Sequence, residues 1–170
     1  MDKPVKALRR VPNGERANRS EVNLGELGEF IGFYLRMAQT MSFQAYVKEA
    51  SETGRTLRAG YFAVLTLIGA NPGITQTALS RANGRDKSSL TPVIDELERR
   101  GFLTRHRVES NRRAYSLQLT PSGEDARRRL LIAAFIHEER LASVFSAKEQ
   151  EELLRMLRLL TQNMDTRFSD

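Results

Sequence analysis

The sequence predicts a mainly α-helical protein with a small β-hairpin, and three observations support this prediction. Six segments repeat apolar residues at three- and four-residue steps, which is the spacing of amphipathic helices. Two short segments on either side of a polar turn have the composition of strands, and the second alternates between apolar and polar residues. The length of 170 residues, with 40% hydrophobic and 28% charged residues, fits a single folded domain.

Composition excludes several classes of protein. No apolar run approaches the ~18 residues that span a bilayer, and residues 1–20 lack the apolar region of a secretory signal. The chain has no cysteine, which excludes a disulfide framework, a thiolate metal site and a cysteine nucleophile. We therefore expect a cytoplasmic protein that does not enter a membrane and that holds no metal or cofactor.

The first part of the chain predicts a flexible arm and two helices. Residues 1–20 combine prolines, a glycine and many charges without apolar periodicity, so we expect a flexible basic arm. Apolar side chains at helical spacing predict a long amphipathic helix over about 24–50, which residues 51–56 interrupt. A nearly apolar helix then begins near residue 58 and continues to Gly69.

Two shorter helices follow, joined by a glycine-containing turn. The first covers about 75–82, with Thr75 as its N-cap. The second begins somewhere within residues 86–89. A proline beyond the first helical turn loses a hydrogen bond and costs about 3 kcal/mol. Either the helix starts near Ser89, which places Pro92 in the first turn, or it is kinked, and we favour the late start.

A hairpin follows the second short helix, which ends at Gly101, a suitable residue just after a helix C-terminus. Residues 102–108 and 114–119 have the composition of two strands. The polar residues 109–113 lie between them, and they predict an exposed hairpin tip.

Two helices complete the chain, and both carry N-terminal capping signals. Thr120 and Pro121 suit the N-cap and the first position of a helix that continues to Phe145. Ser146, with Glu149 three residues later, forms a capping-box pattern at the start of the last helix.

Basic residues concentrate in two parts of the chain, whose formal net charge is +6. Residues 71–120 hold nine basic and five acidic side chains, and residues 1–23 hold six and three, whereas the other segments are close to neutral. Two short helices followed by a charged hairpin also form the outline of a winged helix-turn-helix. This combination favours a module that binds a polyanion.

One face of the second short helix is the candidate DNA-binding surface. Placing its residues every 100° puts the apolar side chains on the inner side: Leu90, Val93, Ile94 and Leu97. The outer side and its shoulders carry small residues and cations: Arg85, Lys87, Ser88, Ser89, Thr91 and Pro92. Hydroxyls bond to bases or phosphates, and Lys87 and the helix N-terminus favour a phosphate. The carboxylates of the C-terminal half would repel DNA.

Arg112 and Arg113 at the hairpin tip are candidates for contacts in a narrow minor groove, where the negative potential is strongest. The alternative for every residue of this surface is an ordinary solvated face, with arginines that serve solubility. Spacing, charge and hairpin occur together here, which favours DNA binding over that alternative.

Several segments resemble the MarR family of bacterial transcriptional regulators. They are YFAVL at 61–65, TQTALS at 75–80, DKSSLT at 86–91, LERRGFL at 97–103, RR at 112–113 and LTPSG at 119–123. The resemblance implies a homodimer whose two lobes read a pseudo-palindromic operator in double-stranded DNA, with repression as the default. The family's wing usually has an aspartate before the paired arginines, where this chain has Asn111, so which arginine enters the groove stays open.

The resemblance covers about residues 24–162, and we expect residues 21–162 to form one domain of this kind, followed by a tail over 163–170. The winged helix-turn-helix would cover about 58–119. The helices at about 24–50 and 121–162 are too long and apolar for that small module to cover, so we expect them to form the interface of a two-fold dimer. The alternative is a monomer in which these helices pack on each other.

The resemblance also implies an effector that releases DNA, commonly an anionic aromatic acid or, in some relatives that regulate aromatic catabolism, an aryl-CoA thioester. Aromatic walls with one or two cations suit such a ligand. The candidate residues are Phe33, Tyr34, Arg36, Met37, Arg58, Tyr61, Phe62 and His137. The alternative is that these are ordinary core or surface residues.

We do not expect an enzyme. His106 and His137 lie far apart in the sequence, and HExxH, nucleophile-elbow and phosphate-loop motifs are absent. The alternative to a specific regulator is a ligand-independent architectural DNA-binding or protein-docking winged helix. The operator, the effector, the regulated genes and the direction of regulation stay open.

Overall fold

The protein's structure is a computed structural model that describes residues 22–52, 60–108 and 111–167. By its internal contacts the chain divides into two compact units, residues 1–43 and 44–170. The fold is mainly helical with a small antiparallel sheet, which confirms the predicted fold class.

The described part of the first unit is helical. A 3₁₀ helix at Gly25–Glu29 precedes helix α1 at Ile31–Glu52, whose last residues belong to the second unit. The prediction of one continuous helix from residue 24 is therefore wrong at its start. Gly25 has a left-handed backbone (φ 54°) and Phe30 is extended (φ −95°, ψ 115°), so the regular α-helix begins only after Phe30.

The second unit holds the other elements, in the predicted order with one addition. They are α2 at Gly60–Ala70, β1 at Ile74–Thr75, α3 at Gln76–Ala82, α4 at Lys87–Arg99, β2 at Leu103–Val108, β3 at Asn111–Leu119, α5 at Pro121–Ala142 and α6 at Ala147–Arg167. The addition is β1, which pairs with β3 through Ile74 and Leu117, so the sheet has the order β1–β3–β2. Helix α5 ends at Ala142, before the predicted Phe145.

The hairpin of β2 and β3 extends further towards its tip than predicted. Val108 pairs with Asn111, so β3 begins inside the predicted tip. The register shifts at this point, because the next pair joins Arg107 to Tyr115 and residues 112–114 form an irregularity in β3.

Side-chain caps begin three helices at the predicted residues. Thr75 accepts a hydrogen bond from the backbone N–H three residues later at 3.2 Å, and Thr120 does the same at 3.0 Å. Ser146 and Glu149 form the predicted capping box, in which the Ser146 N–H donates to Glu149 Oε2 at 2.8 Å.

The hydrophobic core of the second unit lies between α2, α3, α4, the sheet and α5. Its buried members are Tyr61, Val64, Leu65, Ile68, Leu79, Leu90, Ile94, Leu97, Leu103, Leu117, Ala126 and Leu130. The predicted inner face of α4 is confirmed, because its three leucine and isoleucine side chains are fully buried and Val93 packs against the same core.

Two glycines allow α5 to approach the connection between α4 and β2. Gly101 ends α4 as predicted, with a left-handed backbone (φ 72°). Thr120 donates from its N–H to the Phe102 carbonyl at 3.1 Å and from its hydroxyl to the Gly101 carbonyl at 2.6 Å. A Cβ on Gly123 would lie 1.8 Å from the Phe102 carbonyl oxygen, so this approach requires glycine there.

The long helices expose large apolar side chains in the single chain. On α1 within the first unit they are Ile31, Tyr34, Leu35, Met41 and Phe43; on α5 and α6 they are Ile132, Phe135, Ile136, Leu141, Leu154, Met156, Leu159 and Met164. Apolar patches of this extent are typical of protein–protein contacts. Within the described residues, no helix has both the length and the apolar character needed to cross a membrane.

Candidate nucleic-acid interface

The N-terminus of α4 is fixed by Asp86. Its Oδ1 accepts from the Ser89 backbone N–H at 2.8 Å, and α4 begins at Lys87. The favoured start near Ser89 is therefore wrong, and Pro92 lies inside the helix. The carboxylate cap and the buried inner face of α4 together offset the hydrogen bond that Pro92 cannot donate to the Ser88 carbonyl.

Most of the predicted contact residues lie on one exposed face at the start of α4. The side chains of this group that solvent reaches are Arg85, Lys87, Ser88, Ser89 and Pro92. Leu90 and Ile94 hold the opposite side of the helix in the core. A helix divided in this way can enter a major groove without uncovering its core.

The turn before α4 positions Arg85. The Arg85 N–H donates to the Ser80 carbonyl at 3.2 Å, and the Ser80 hydroxyl donates to the Arg85 carbonyl. Ser80 is buried, so these hydrogen bonds are largely shielded from water and are stronger than exposed ones. They fix the backbone that carries the exposed guanidinium.

Thr91 differs from the other candidates because its hydroxyl is used within the protein. It donates to the Lys87 carbonyl at 2.7 Å and accepts from Gln76 Nε2 at 2.7 Å. This half-buried contact joins α3 to α4. The sequence prediction missed Gln76, because its contact joins residues 15 apart in the chain and no local pattern indicates it.

Asp86 places a negative charge within the candidate surface. Both neighbouring serine hydroxyls donate to its carboxylate, Ser88 to Oδ1 and Ser89 to Oδ2 at 2.7 Å. These hydrogen bonds, from Ser88 first and then Ser89, hold the pKa of Asp86 far below its usual range. A phosphate at the helix N-terminus would therefore meet an ionised carboxylate, which disfavours that part of the prediction.

The acidic C-terminal half of α4 is neutralised by arginines. Arg105 of β2 pairs with Asp95 and, through Nη1 at 3.0 Å, with Glu98. Glu96 pairs with Arg100 at 2.6 Å, and this hydrogen bond is the main reason that the pKa of Glu96 is lowered. The repulsion expected between these carboxylates and DNA is thus reduced, and Arg105 ties the hairpin to α4.

Arg112 and Arg113 belong to β3, which corrects their predicted place in the tip loop. The pairing of Val108 with Asn111 extends the backbone ladder past them and leaves a shorter connection. Their side chains lie outside what the structure describes, so the expected groove contact stays a prediction. Residues 1–20, predicted to form a basic arm, are also outside the described residues.

Three of the effector candidates form a cluster on α1. The rings of Phe33 and Tyr34 meet edge to face with centroids 5.5 Å apart, and the Arg36 guanidinium lies 5.4 Å from the Phe33 centroid. Met37, one turn along the helix from Phe33, is half-buried. A partly exposed aromatic pair beside a cation has the chemistry to bind an aromatic anion.

The other effector candidates lie in the second unit or outside the described residues. Tyr61 is a core residue, 2% exposed, and Phe62 packs against the same core. His137 is buried and meets the Tyr46 ring edge to face at 5.6 Å. Tyr61 and His137 thus fit the alternative interpretation as core residues, and Arg58 is among the residues that the structure does not describe.

A helical lobe with a β-hairpin and one exposed, partly basic helix defines a winged-helix protein of the DNA-binding type. Residues 57–115 match the model of the MarR family. A putative transcriptional regulatory protein for the hcr operon of Thauera aromatica is 31% identical over 156 residues, which cover 90% of this chain and 93% of that protein. The chain belongs to the MarR family of transcriptional regulators.

Solved structures with the same fold include repressors bound to DNA and to ligands. CouR, a transcriptional repressor bound to a 23-mer DNA duplex, matches with a TM-score of 0.73 and 33% identity over 83% of this chain and 99% of that chain. CouR bound to p-coumaroyl-CoA matches with a TM-score of 0.72 and 30% identity, and the match covers 82% of this chain and 97% of that chain. The transcriptional regulator PcaV of Streptomyces coelicolor, in complex with its natural ligand, matches with a TM-score of 0.73 and 25% identity. This match covers 85% of this chain and 98% of that chain.

Proposed function

We propose that the protein is a cytoplasmic, homodimeric repressor that binds a pseudo-palindromic operator and leaves it when an aromatic effector binds. The observation that carries this proposal is the exposed face of α4, where Lys87 and two serines lie opposite a buried apolar face, with exposed Arg85 in the turn directly before the helix. The cations suit phosphates and base edges, and the small hydroxyls suit base edges. The family relation supports the proposal, since CouR is a repressor that has been solved on duplex DNA.

The proposed dimer rests on the apolar faces of the long helices. Phe135 is 61% exposed and Leu159 is 52% exposed in the single chain, and fully burying a large apolar side chain contributes about 1.5–3 kcal/mol. A two-fold dimer would present two copies of α4 about 34–36 Å apart, which is one turn of DNA. Each copy would then read one half of the operator.

The proposed effector is a small aromatic acid or its CoA thioester. The cluster of Phe33, Tyr34 and Arg36 offers rings and a cation to such an anion, and a repressor of similar fold has been solved with p-coumaroyl-CoA. To release DNA, the effector must favour an arrangement in which the two α4 helices no longer match the operator. A coupling of about 1–3 kcal/mol lowers operator affinity about 5- to 150-fold.

Replacing Arg85, Ser89 and Arg112 together with alanine tests the proposed DNA surface. Operators are selected from random duplexes with the wild-type protein, and affinities are then measured by fluorescence anisotropy at fixed salt. The wild type should bind the selected operator about 10³-fold or more tightly than scrambled DNA. The triple variant should lose most of that difference, because each base contact contributes about 1–3 kcal/mol.

A matched control removes two guanidinium groups and one hydroxyl from α5 through Arg128→Ala, Arg129→Ala and Ser122→Ala. It should keep the wild-type preference for the selected operator over scrambled DNA. A variant of the α4 and hairpin residues that still binds like the wild type would contradict the assigned surface. A wild-type protein that binds scrambled DNA equally well would instead indicate an architectural DNA-binding protein.

Thermal unfolding and operator binding with p-coumaroyl-CoA and free aromatic acids test the effector. A ligand that prefers the folded protein raises its Tm, and we expect the same ligand to weaken operator binding about 5- to 150-fold. Arg36→Ala should reduce both effects because it removes the cation of the α1 cluster, whereas Arg128→Ala should not. A probe that raises Tm but leaves operator affinity unchanged at saturation would rule out release by that ligand.

A further inference from the structure

The hydroxyls of Ser88 and Ser89 both donate their protons in hydrogen bonds to the Asp86 carboxylate. Ser88 Oγ lies within hydrogen-bond distance of Asp86 Oδ1, and Ser89 Oγ lies 2.7 Å from Oδ2. An ionised carboxylate can only accept hydrogen bonds, so each contact uses the single proton of a serine. The lowered pKa of Asp86 keeps this carboxylate ionised at neutral pH.

The proton of the third hydroxyl on this part of α4, that of Thr91, is also used in a hydrogen bond within the protein. Thr91 donates to the Lys87 carbonyl and accepts from Gln76. The hydroxyls of Ser88, Ser89 and Thr91 therefore have only lone pairs left for a partner outside the chain. Among the described side chains of this surface, the exposed donors are the cationic groups of Arg85 and Lys87.

The edges of the bases differ in what such lone pairs can bind. In the major groove, cytosine N4 and adenine N6 are amino donors, whereas guanine N7 and O6 and thymine O4 are acceptors. Phosphate oxygens of DNA are acceptors as well. A serine that can only accept fits an exocyclic amino group, and it repels a guanine edge, a thymine oxygen or a phosphate.

We propose that Asp86 is a positioning residue for operator specificity: by taking both serine protons, it makes Ser88 and Ser89 acceptors that select cytosine or adenine in the major groove. This inference rests on the proposed binding of a specific operator. It assigns the direction of the hydrogen bonds at these two residues, which the exposure of the helix face does not determine.

Base analogues that lack only the amino group provide the test. In the operator selected by the full-length wild type, each adenine is replaced in turn by purine and each cytosine by 2-pyrimidinone. At the positions that Ser88 and Ser89 read, the loss of one hydrogen bond should weaken wild-type binding about 3- to 10-fold. Ser88→Ala and Ser89→Ala identify these positions, because each should abolish the effect of the analogue at its own position.

Asp86→Asn then separates the effect of Asp86 on the serine hydroxyls from its role as the N-cap of α4. Asparagine caps a helix about as well as aspartate. Its amide oxygen replaces Oδ1, which accepts from the Ser89 N–H and the Ser88 hydroxyl, whereas its NH2 group replaces Oδ2 and can donate to the Ser89 hydroxyl. The variant therefore releases the Ser89 proton and keeps the Ser88 proton bound. At the position that Ser89 reads, we expect the analogue penalty to fall below about 2-fold in this variant, with guanine or thymine newly tolerated there. The penalty at the position that Ser88 reads should stay at the wild-type value. Asp125→Asn on α5 removes an equal charge from an exposed aspartate and should keep the wild-type penalty.

The outcomes distinguish this inference from the proposed function. A wild type without any amino-sensitive position, or an Asp86→Asn variant that keeps the full wild-type penalty at the position that Ser89 reads, overturns the role of Asp86 while leaving operator binding intact. A wild type that does not distinguish the selected operator from scrambled DNA overturns the proposed function first. If Asp86→Asn does not fold by circular dichroism, Asp86→Ser, which also caps well, carries the same expectation.

Discussion

Replacing Phe135 and Leu159 with aspartate is expected to produce a monomer that no longer binds the operator. Both side chains are more than half exposed in the single chain, and the proposed dimer buries them. A carboxylate in an apolar interface loses its hydration without gaining a partner, which costs several kcal/mol for each charge. Each subunit contributes two such charges, so we expect dissociation at micromolar concentration.

Analytical ultracentrifugation measures the mass, and circular dichroism shows whether each subunit stays folded. The variant should keep its helical signal because neither side chain belongs to the core around α2 and α4. Ser122→Asp adds one carboxylate to each subunit at the exposed start of α5, and this control should remain a dimer. A double variant that still sediments as a dimer would show that these faces do not form the interface.

Gly123→Ala is expected to destabilise the fold by about 3 kcal/mol or more. A Cβ at this position would lie 1.8 Å from the Phe102 carbonyl oxygen, and that oxygen also accepts the Thr120 N–H at 3.1 Å. The backbone fixes the position of a Cβ, and the Phe102 oxygen is a backbone atom, so rotation of a side chain cannot relieve the clash. The helix must move away from the connection between α4 and β2, which uncovers buried Ala126 and Leu130.

Urea unfolding monitored by circular dichroism measures this loss. Gly32→Ala on α1 is the matched control, because a Cβ there meets nothing within 4 Å and alanine favours a helix by up to about 1 kcal/mol over glycine. We expect the control to be as stable as the wild type or slightly more stable. A Gly123→Ala variant within about 1 kcal/mol of the wild type would contradict the close approach described here.

The features that sequence predicted correctly depend on neighbours along the chain. The caps at Thr75, Thr120 and Ser146 each need a hydroxyl and a backbone N–H three residues later, and both are visible in the sequence. The buried side of α4 follows from helical periodicity, and its leucines and isoleucine are in the core.

The features that sequence did not predict depend on distant contacts. Strand β1 has two residues, too few to alternate, and it exists because Ile74 and Thr75 find partners at Leu117 and Ser116. The start of α4 is an exception, because its signal is local: Asp86 lies three residues before the N–H that it caps. The prediction gave more weight to the cost of Pro92 inside a helix than to this cap.

The candidate DNA surface shows the same division. Exposure of Arg85, Ser88 and Ser89 could be predicted from their place on the helix. The direction of the serine hydrogen bonds could not, because it depends on rotamers around Asp86. The contact of Thr91 with Gln76 also joins two helices that are separate in the sequence.

Hydroxyl-radical footprinting of the wild-type protein on its selected operator tests the central claim most directly. Two copies of α4 in a two-fold dimer predict that the footprint contains two protected, inverted half-sites whose centres lie about 10 base pairs apart. In a parallel interference experiment, methylation of guanines in the major groove of either half-site should weaken binding. One dimer should occupy each duplex. A single unrepeated site, or uniform protection of any duplex at the same protein concentration, would contradict the account.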